Sequence, residues 1–134
     1  MESQTDTNNQ FKRLDCDTDL LLIEKDTFTV GRFKELLRIE LQRIFSTRCL
    51  PDGQSEGKSV IYLCDKLLSG LKIGALNLSI RDMRCIFPRE GINCQLLEIG
   101  SQGWQKGRIR MEMCIPNYHQ SLILEFCPDE PTTP

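Results

Sequence analysis

The sequence offers few residues that could bind a metal ion. It has one histidine, His119, and none of its seven cysteines has the Cys-x-x-Cys spacing that structural zinc sites use. The nearest two, Cys85 and Cys94, are separated by eight residues. We therefore predict neither a metal site nor a cofactor. An odd, scattered set of thiols is better explained as reduced side chains filling gaps in a core than as a disulfide framework. The seven are Cys16, Cys49, Cys64, Cys85, Cys94, Cys114 and Cys127.

Long apolar segments are missing as well. No stretch approaches the roughly 20 apolar residues that a transmembrane helix needs. Residues 1–10 are polar and acidic, without the basic start and the apolar run of a signal peptide. We therefore expect a cytoplasmic protein with no membrane partner.

An excess of positive charge is the third absence. The chain has 17 basic and 19 acidic residues and a formal net charge of −2, so no overall field attracts nucleic acid or an anionic membrane. Binding of that kind would need a local basic patch.

Size and composition fit one compact domain. A chain of 134 residues, 40% hydrophobic and 27% charged, supports a single core and leaves no room for two sizeable domains. We predict a flexible tail over residues 1–13, one domain over residues 14–128, and an acidic, proline-rich tail over residues 129–134. The last segment is best explained as a solvated end that prevents edge pairing, and a short partner-binding segment is the alternative.

Alternating side chains in the second half of the chain predict an antiparallel β-meander. Ile109, Met111 and Met113 alternate with charged residues, so one face of their strand belongs to the core and the other faces water. Residues 94–99 alternate less cleanly, and residues 122–126 repeat the pattern. We expect these three runs to be neighbouring strands.

Two amphipathic helices are predicted in the first half of the chain. From about residue 31 to residue 46, apolar side chains recur at helical spacing. A second helix begins after Ser59, which can cap it, and ends near Gly70, where a carboxyl-terminal cap is expected. The predicted fold class is α+β, with one or two helices packed on the antiparallel meander.

Shorter extended segments complete the prediction. Residues 20–23 and 27–30 flank a polar turn and suit a small hairpin, with a buried strand as the alternative. Residues 71–79 are ambiguous, although period-two alternation favours an extended segment. Residues 84–87 form another such segment, which Pro88 closes.

Motifs in both halves of the chain resemble a known family. Near the carboxyl end these are Gly103-Trp104-Gln105-Lys106-Gly107, Glu125-Phe126 and Pro128-Asp129-Glu130-Pro131; near the amino end they are Leu14-Asp15-Cys16-Asp17 and Phe33-Lys34-Glu35-Leu36. They are similar to the KGK domain family of cyanobacterial proteins, over most of the chain from about Leu14. The resemblance implies a small soluble protein, without an established activity or catalytic residues to carry over.

The sequence departs from that family's pattern at one position. It has Lys106-Gly107-Arg108 where the family's name records Lys-Gly-Lys. Arginine keeps the positive charge but changes its hydrogen-bonding geometry, because a guanidinium is a planar fork of donors.

One segment resembles a phosphate-binding loop but does not match its pattern. Residues 53–59 end in Gly-Lys-Ser before a helix, but the spacing is one residue short and Asp52 stands where the first glycine belongs. An acid there would face the phosphates of a nucleotide. A turn-rich loop, including Pro51-Asp52-Gly53, is the better interpretation.

Nucleophilic catalysis has one weak candidate pair. Cys114 and His119 are separated by a Pro116-Asn117 turn, so their side chains can meet, but no third, orienting group is evident. We predict a turn histidine and no catalytic residues.

The only group with binding character is Trp104, Lys106, Arg108 and Arg110. Three cations beside an aromatic side chain suit phosphate contact with base stacking. Against this, Glu112 and Glu125 can pair with the arginines across neighbouring strands, which would leave an ordinary sheet face. The group is therefore a candidate site for a protein partner or for nucleic acid, with the structural or protein-contacting interpretation favoured.

These observations favour a non-enzymatic protein-interaction or regulatory module in the cytoplasm. A nucleic-acid-binding module that uses the segment from Trp104 to Arg110 is the first alternative, and a thiol-dependent enzyme is the second. A protein partner is expected.

Overall fold

The computed structural model describes residues 10–49 and 58–129, and its main feature is a six-stranded antiparallel sheet. In chain order the elements are β1 (Lys12–Arg13), β2 (Leu20–Ile23), β3 (Asp26–Thr29), α1 (Val30–Ser46), β4 (Arg48–Cys49), β5 (Lys58–Ser59), α2 (Val60–Ser69), β6 (Leu71–Ile73), β7 (Leu76–Leu78), β8 (Met83–Leu97), β9 (Gln105–Ile115), α3 (Tyr118–Ser121) and β10 (Ile123–Pro128). The strand order of the large sheet is β1-β10-β9-β8-β2-β3. The predicted meander is confirmed as β8, β9 and β10, and the α+β class is confirmed with it.

Both predicted helices form where their caps indicate. The Thr29 hydroxyl accepts a hydrogen bond from the Arg32 amide at 3.0 Å and begins α1, one residue earlier than expected. The Ser59 hydroxyl accepts from the Tyr62 amide at 3.2 Å and begins α2. The Gly70 amide donates to the Lys66 carbonyl at 2.9 Å at the end of that helix. Side-chain caps satisfy amides that have no partner within the helix, which explains these boundaries.

The core lies between α1 and one face of the sheet. Every second side chain of β9 contributes to it, from Ile109 to Ile115, and Leu124 and Phe126 of β10 lie beside them. Val30 and Leu41 of the helix belong to the same cluster. The strand residues predicted to face the core are thus buried as expected. None of the helices in the described parts of the chain is long and apolar enough to cross a bilayer.

Strand β8 is longer than the sequence predicts. The expected segment 84–87 and residues 94–97 of the expected segment 94–99 belong to one strand, and the register against β9 shifts between Phe87 and Ile92. The Phe87–Pro88 peptide is cis, and Gly91 has a φ of 87° within the irregularity. A bulge accommodates the residues between Phe87 and Ile92, so the strand continues past Pro88 instead of ending there.

The amino-terminal boundary of the domain is also corrected. Residues 12 and 13 pair with β10, and the Leu14 amide donates to the Leu124 carbonyl at 2.9 Å. Phe11 is buried. The sheet therefore already includes part of the predicted tail 1–13. Residues 1–9, 50–57 and 130–134 lie outside the described residues, and with them the Pro51-Asp52-Gly53 turn and most of the segment that resembles a phosphate-binding loop.

Two small two-stranded sheets stand beside the large one. Strand β4 pairs with β5, and β6 pairs with β7. The predicted extended segment 71–79 is in fact a tight hairpin, because Gly74 takes a φ of 62° in the two-residue turn. A glycine adopts that angle without the steric cost that a side chain adds.

Candidate functional site

The predicted basic face of β9 lies among acidic partners. Arg110 stands directly opposite Glu125 of β10, and its Nε donates to Glu125 Oε1 at 2.7 Å. The ring of Phe11 covers this pair, with 4.0 Å between the ring centroid and the guanidinium carbon of Arg110. As a result Arg110 is only 4% exposed. Its charge is therefore paired with Glu125 inside the structure and contributes little to the surface.

Arg108 is half-buried and holds two segments together. Its Nη1 donates to the Glu90 carbonyl at 2.9 Å, within the irregular part of β8. Its Nη2 lies 3.9 Å from Cys127 Sγ on β10. The guanidinium carbon is 5.8 Å from the centroid of the Phe11 ring. These contacts use the planar fork of donors that distinguishes arginine from the lysine of the family pattern.

Gly107 has a steric reason to be a glycine. A Cβ at this position would overlap the Cys127 carbonyl and the ring of Phe126, both on the neighbouring strand β10. The Phe126 ring and the Cys127 carbonyl occupy the space that a side chain at position 107 would need. A glycine therefore allows β9 and β10 to pair this closely. The Lys106-Gly107-Arg108 segment is therefore built into the sheet.

Trp104 and Lys106 are the two predicted site residues that remain exposed. Trp104 is 42% exposed, and the Lys106 carbonyl accepts from the Asp129 amide at 3.0 Å while its side chain lies at the surface. The four residues therefore do not share one accessible face. Binding of a protein or nucleic acid here stays a prediction for Trp104 and Lys106, whereas Arg108 and Arg110 are occupied by contacts within the chain.

A second ion pair neutralises the other end of the same sheet face. Arg84 of β8 contacts both carboxylate oxygens of Glu112, at 2.7 Å and 2.9 Å. The hydrogen bonds from Arg84 hold the pKa of Glu112 below its ordinary value, and the same bonds raise the pKa of Arg84. Of the pairing weighed as the alternative to a basic patch, the contact of Glu125 with Arg110 is observed, whereas Glu112 pairs with Arg84, an arginine outside the predicted group.

Cys114 and His119 have different neighbours. The Cys114 amide donates to Ser121 Oγ at 2.7 Å. His119 lies on the short helix α3 and directs its Nε2 towards Gln42 of α1, with 3.4 Å to Oε1. The structure thus gives the His119 ring a contact with the first helix, and the Cys114 backbone a contact with α3.

The six cysteines whose side chains the structure describes are free thiols. Burial raises the pKa of Cys94 to about 12 and also raises the pKa of Cys64. A raised pKa disfavours the thiolate, which is the reactive form. Within the described ranges, no group of three or more histidine, cysteine or acidic side chains is arranged to hold a metal ion.

A cleft of ≈ 620 Å³ opens at the end of the large sheet. Leu14, Leu96 and Phe126 contribute apolar surface to it, and Lys12 and Glu98 bring charges of both signs. Neither Cys114 nor His119 lines the cleft. It therefore offers room for a ligand away from the candidate pair of Cys114 and His119.

The hairpin β6–β7 carries an exposed apolar face that sequence reasoning missed. Leu71 pairs with Leu78 and Ile73 with Leu76, so these four side chains share one face, because directly opposed residues of two strands point to the same side. Ile73, Leu76 and Leu78 are 59%, 55% and 38% exposed. The opposite face carries Lys72 and Asn77. The signal in the sequence was Gly74 between two short apolar runs.

Comparison with known proteins gives one match. The family model described as KGK domain matches residues 9–134, nearly the whole chain. No curated protein and no solved structure matches the chain.

Proposed function

The chain belongs to the KGK domain family, and we propose that it is a small, non-enzymatic protein-interaction or regulatory module of the cyanobacterial cytoplasm. The family brings no known activity with it. The contact with a partner protein is made by the apolar face of the β6–β7 hairpin. The exposure of Ile73, Leu76 and Leu78 on that one face is the observation that carries this proposal.

Burial of this apolar face against a partner protein stabilises the contact. Removing apolar surface from water contributes roughly 25 cal/mol per Å². Side chains that alternate towards one face of a hairpin, with Lys72 and Asn77 on the other face, form a contiguous surface rather than scattered contacts. Contiguous exposed apolar surface typically marks a protein contact on a folded domain.

The nucleic-acid alternative receives less support from the geometry. Nucleic acid affinity depends on several cations that contact phosphates. Arg110 is buried, and Arg108 donates to the Glu90 carbonyl. Of the four predicted site residues, Lys106 and Trp104 therefore remain accessible. One accessible lysine on a chain with a net charge of −2 is a weak phosphate site.

The test is in-cell photo-crosslinking from the hairpin. A photoreactive amino acid replaces Leu76 in the tagged full-length chain, and the matched control carries it in place of Asn77 on the opposite face of the same strand. We expect a crosslinked protein product from position 76 that survives nuclease treatment and that is much weaker from position 77. Equal products from both faces would contradict a specific contact.

The same tagged chain tests the two alternatives. Copurified nucleic acid that is lost with Lys106→Glu, with no crosslink from position 76, would replace the proposal with the nucleic-acid-binding module. Turnover of a substrate that Cys114→Ser abolishes in a folded chain would replace it with the thiol-dependent enzyme. The proposal expects neither result.

A further inference from the structure

The cleft at the end of the large sheet has an apolar floor that belongs to the core. Leu14, Leu96 and Phe126 line the cleft, and all three are members of the buried cluster. Its volume of ≈ 620 Å³ lies within the range of about 300–1,000 Å³ that small-molecule sites occupy. The apolar part of a ligand would therefore meet carbon surface there rather than water.

The edge strand β1 brings positive charge to one end of this cleft. Its two residues, Lys12 and Arg13, both line the wall. Arg13 forms an ion pair with Asp15 at 2.9 Å, and the third cation of the wall, Arg108, donates to the Glu90 carbonyl. Lys12 forms no ion pair within the described ranges of the chain. Its ammonium group is therefore available to an anionic group of a ligand.

Negative charge lies elsewhere on the same wall. Glu98 directly follows β8, and in the order β1-β10-β9-β8 two strands separate it from Lys12. Asp129 follows β10 and lines the cleft as well. Neither carboxylate forms an ion pair with a residue that the structure describes. The wall thus presents available charges of both signs at separate places.

This distribution of charge narrows the class of ligand. A purely anionic ligand would approach Glu98 and Asp129, and a purely cationic one would approach Lys12, so each would meet repulsion from a like charge. An uncharged apolar ligand would remove the same charged groups from water without giving them partners, which is costly. A ligand that carries one positive and one negative group on an apolar body avoids both costs.

We propose that the cleft binds a small zwitterion with an apolar body, the class to which free amino acids and short apolar peptides belong. The carboxylate of the ligand contacts Lys12, and its ammonium group contacts Glu98. Its apolar part lies on the floor of the cleft. The site goes beyond the proposed function and is independent of it, because it lies on the large sheet and not on the β6–β7 hairpin.

The spacing of the strands sets the length of a suitable probe. Three strand spacings of about 4.8 Å separate β1 from β8, roughly 14 Å in all. Three extended residues span about 10 Å, and the side chains of Lys12 and Glu98 can cover the remainder. Trileucine, which has two charged ends and three apolar side chains, therefore serves as the probe.

The experiment titrates the isotope-labelled full-length chain with trileucine and follows its amide signals by NMR. The comparison peptides are N-acetylated trileucine, trileucine amide and the doubly blocked form. We expect trileucine to shift the signals of residues that line the cleft. Each singly blocked peptide should bind about fivefold more weakly, which is the effect of losing one solvent-accessible ion pair.

Two variants assign the contacts to individual side chains. In Lys12→Met, amidation of the peptide should no longer weaken binding, because the partner of the carboxylate is missing. In Glu98→Gln, N-acetylation should weaken binding by at most about twofold for the same reason. The matched controls, Lys72→Met and Glu40→Gln, replace exposed residues outside the cleft and should keep the full loss.

Three results would overturn the proposal. The first is that trileucine causes no signal shifts at the cleft. The second is that the doubly blocked peptide binds as tightly as trileucine, because the cleft would then not select a zwitterion. The third is that the control variants remove the effect of blocking as fully as Lys12→Met and Glu98→Gln do. The crosslink from position 76 tests the hairpin contact separately, so either proposal can fail while the other stands.

Discussion

Arg110 and Glu125 stand directly opposite each other on β9 and β10, and their side chains meet at 2.7 Å beneath the ring of Phe11. Both side chains are almost fully removed from solvent. The strand face that the sequence pattern predicts to be polar and exposed is therefore partly buried. This arrangement explains why the segment from Lys106 to Arg110 contributes less charge to the surface than its composition suggests.

The first prediction concerns that ion pair. Glu125→Ala removes a carboxylate that is hydrogen-bonded to a buried guanidinium, so we expect the free energy of unfolding to fall by about 3 kcal/mol, because breaking a buried ion pair from one side is strongly destabilising. Urea denaturation with a constant m-value measures the change. The control is Glu40→Ala, which breaks the exposed pair with Arg43 on α1 and should leave the midpoint nearly unchanged. Equal effects of the two variants would contradict the burial of Arg110.

The second prediction concerns Gly107. In Gly107→Ala the new methyl group overlaps the Cys127 carbonyl and the Phe126 ring, so strands β9 and β10 must separate locally. We expect a loss of about 3 kcal/mol, at the upper end of the range for overpacking, measured by thermal or urea unfolding. Gly103→Ala is the matched control, because nothing lies within 4 Å of a Cβ at that position. A stable Gly107→Ala chain would show that the close strand contact is absent.

The third prediction concerns Phe11. Phe11→Ala uncovers Arg110 and removes a buried ring, for which we expect a loss of about 3 kcal/mol, as for other large-to-small substitutions in cores. Phe11→Leu keeps an apolar cover and loses only the contact between ring and cation, so it should cost about 1 kcal/mol. Urea unfolding of both variants provides the comparison. If both unfold as the unchanged chain does, the amino-terminal strand does not contribute to the fold.

The fourth prediction is a pH dependence. Hydrogen bonds from Arg84 lower the folded-state pKa of Glu112, so this pair stabilises the protein above the unfolded carboxyl pKa of about 4.3. The stabilisation is lost as the pH falls through the lower, folded value. Glu112→Gln should therefore be less stable than the unchanged chain near neutral pH and approach it in acid. A stability difference that does not shrink on acidification would rule out the charge of Glu112 as its source.

The local elements were predictable because their signals are local. Thr29 and Ser59 cap helices through their own hydroxyl groups, and the alternation from Ile109 to Met113 fixes which side chains share a face. The bulge in β8 was not predicted. A proline between two apolar runs can end a strand or bend it, and pairing with the long neighbour β9 decides between the two.

Sequence alone determined the α+β class, both major helices, the meander and the core face of its strands, since periodicity and capping depend on residues within a few positions of one another. Only the tertiary structure decided which polar faces remain exposed to solvent and which apolar faces are not covered by another segment. Phe11 covers Arg110 from the far end of the chain, while Leu76, with an equally apolar pattern, finds no cover among the described residues. A side chain's direction follows from local backbone geometry, whereas its exposure depends on which distant segment packs over it.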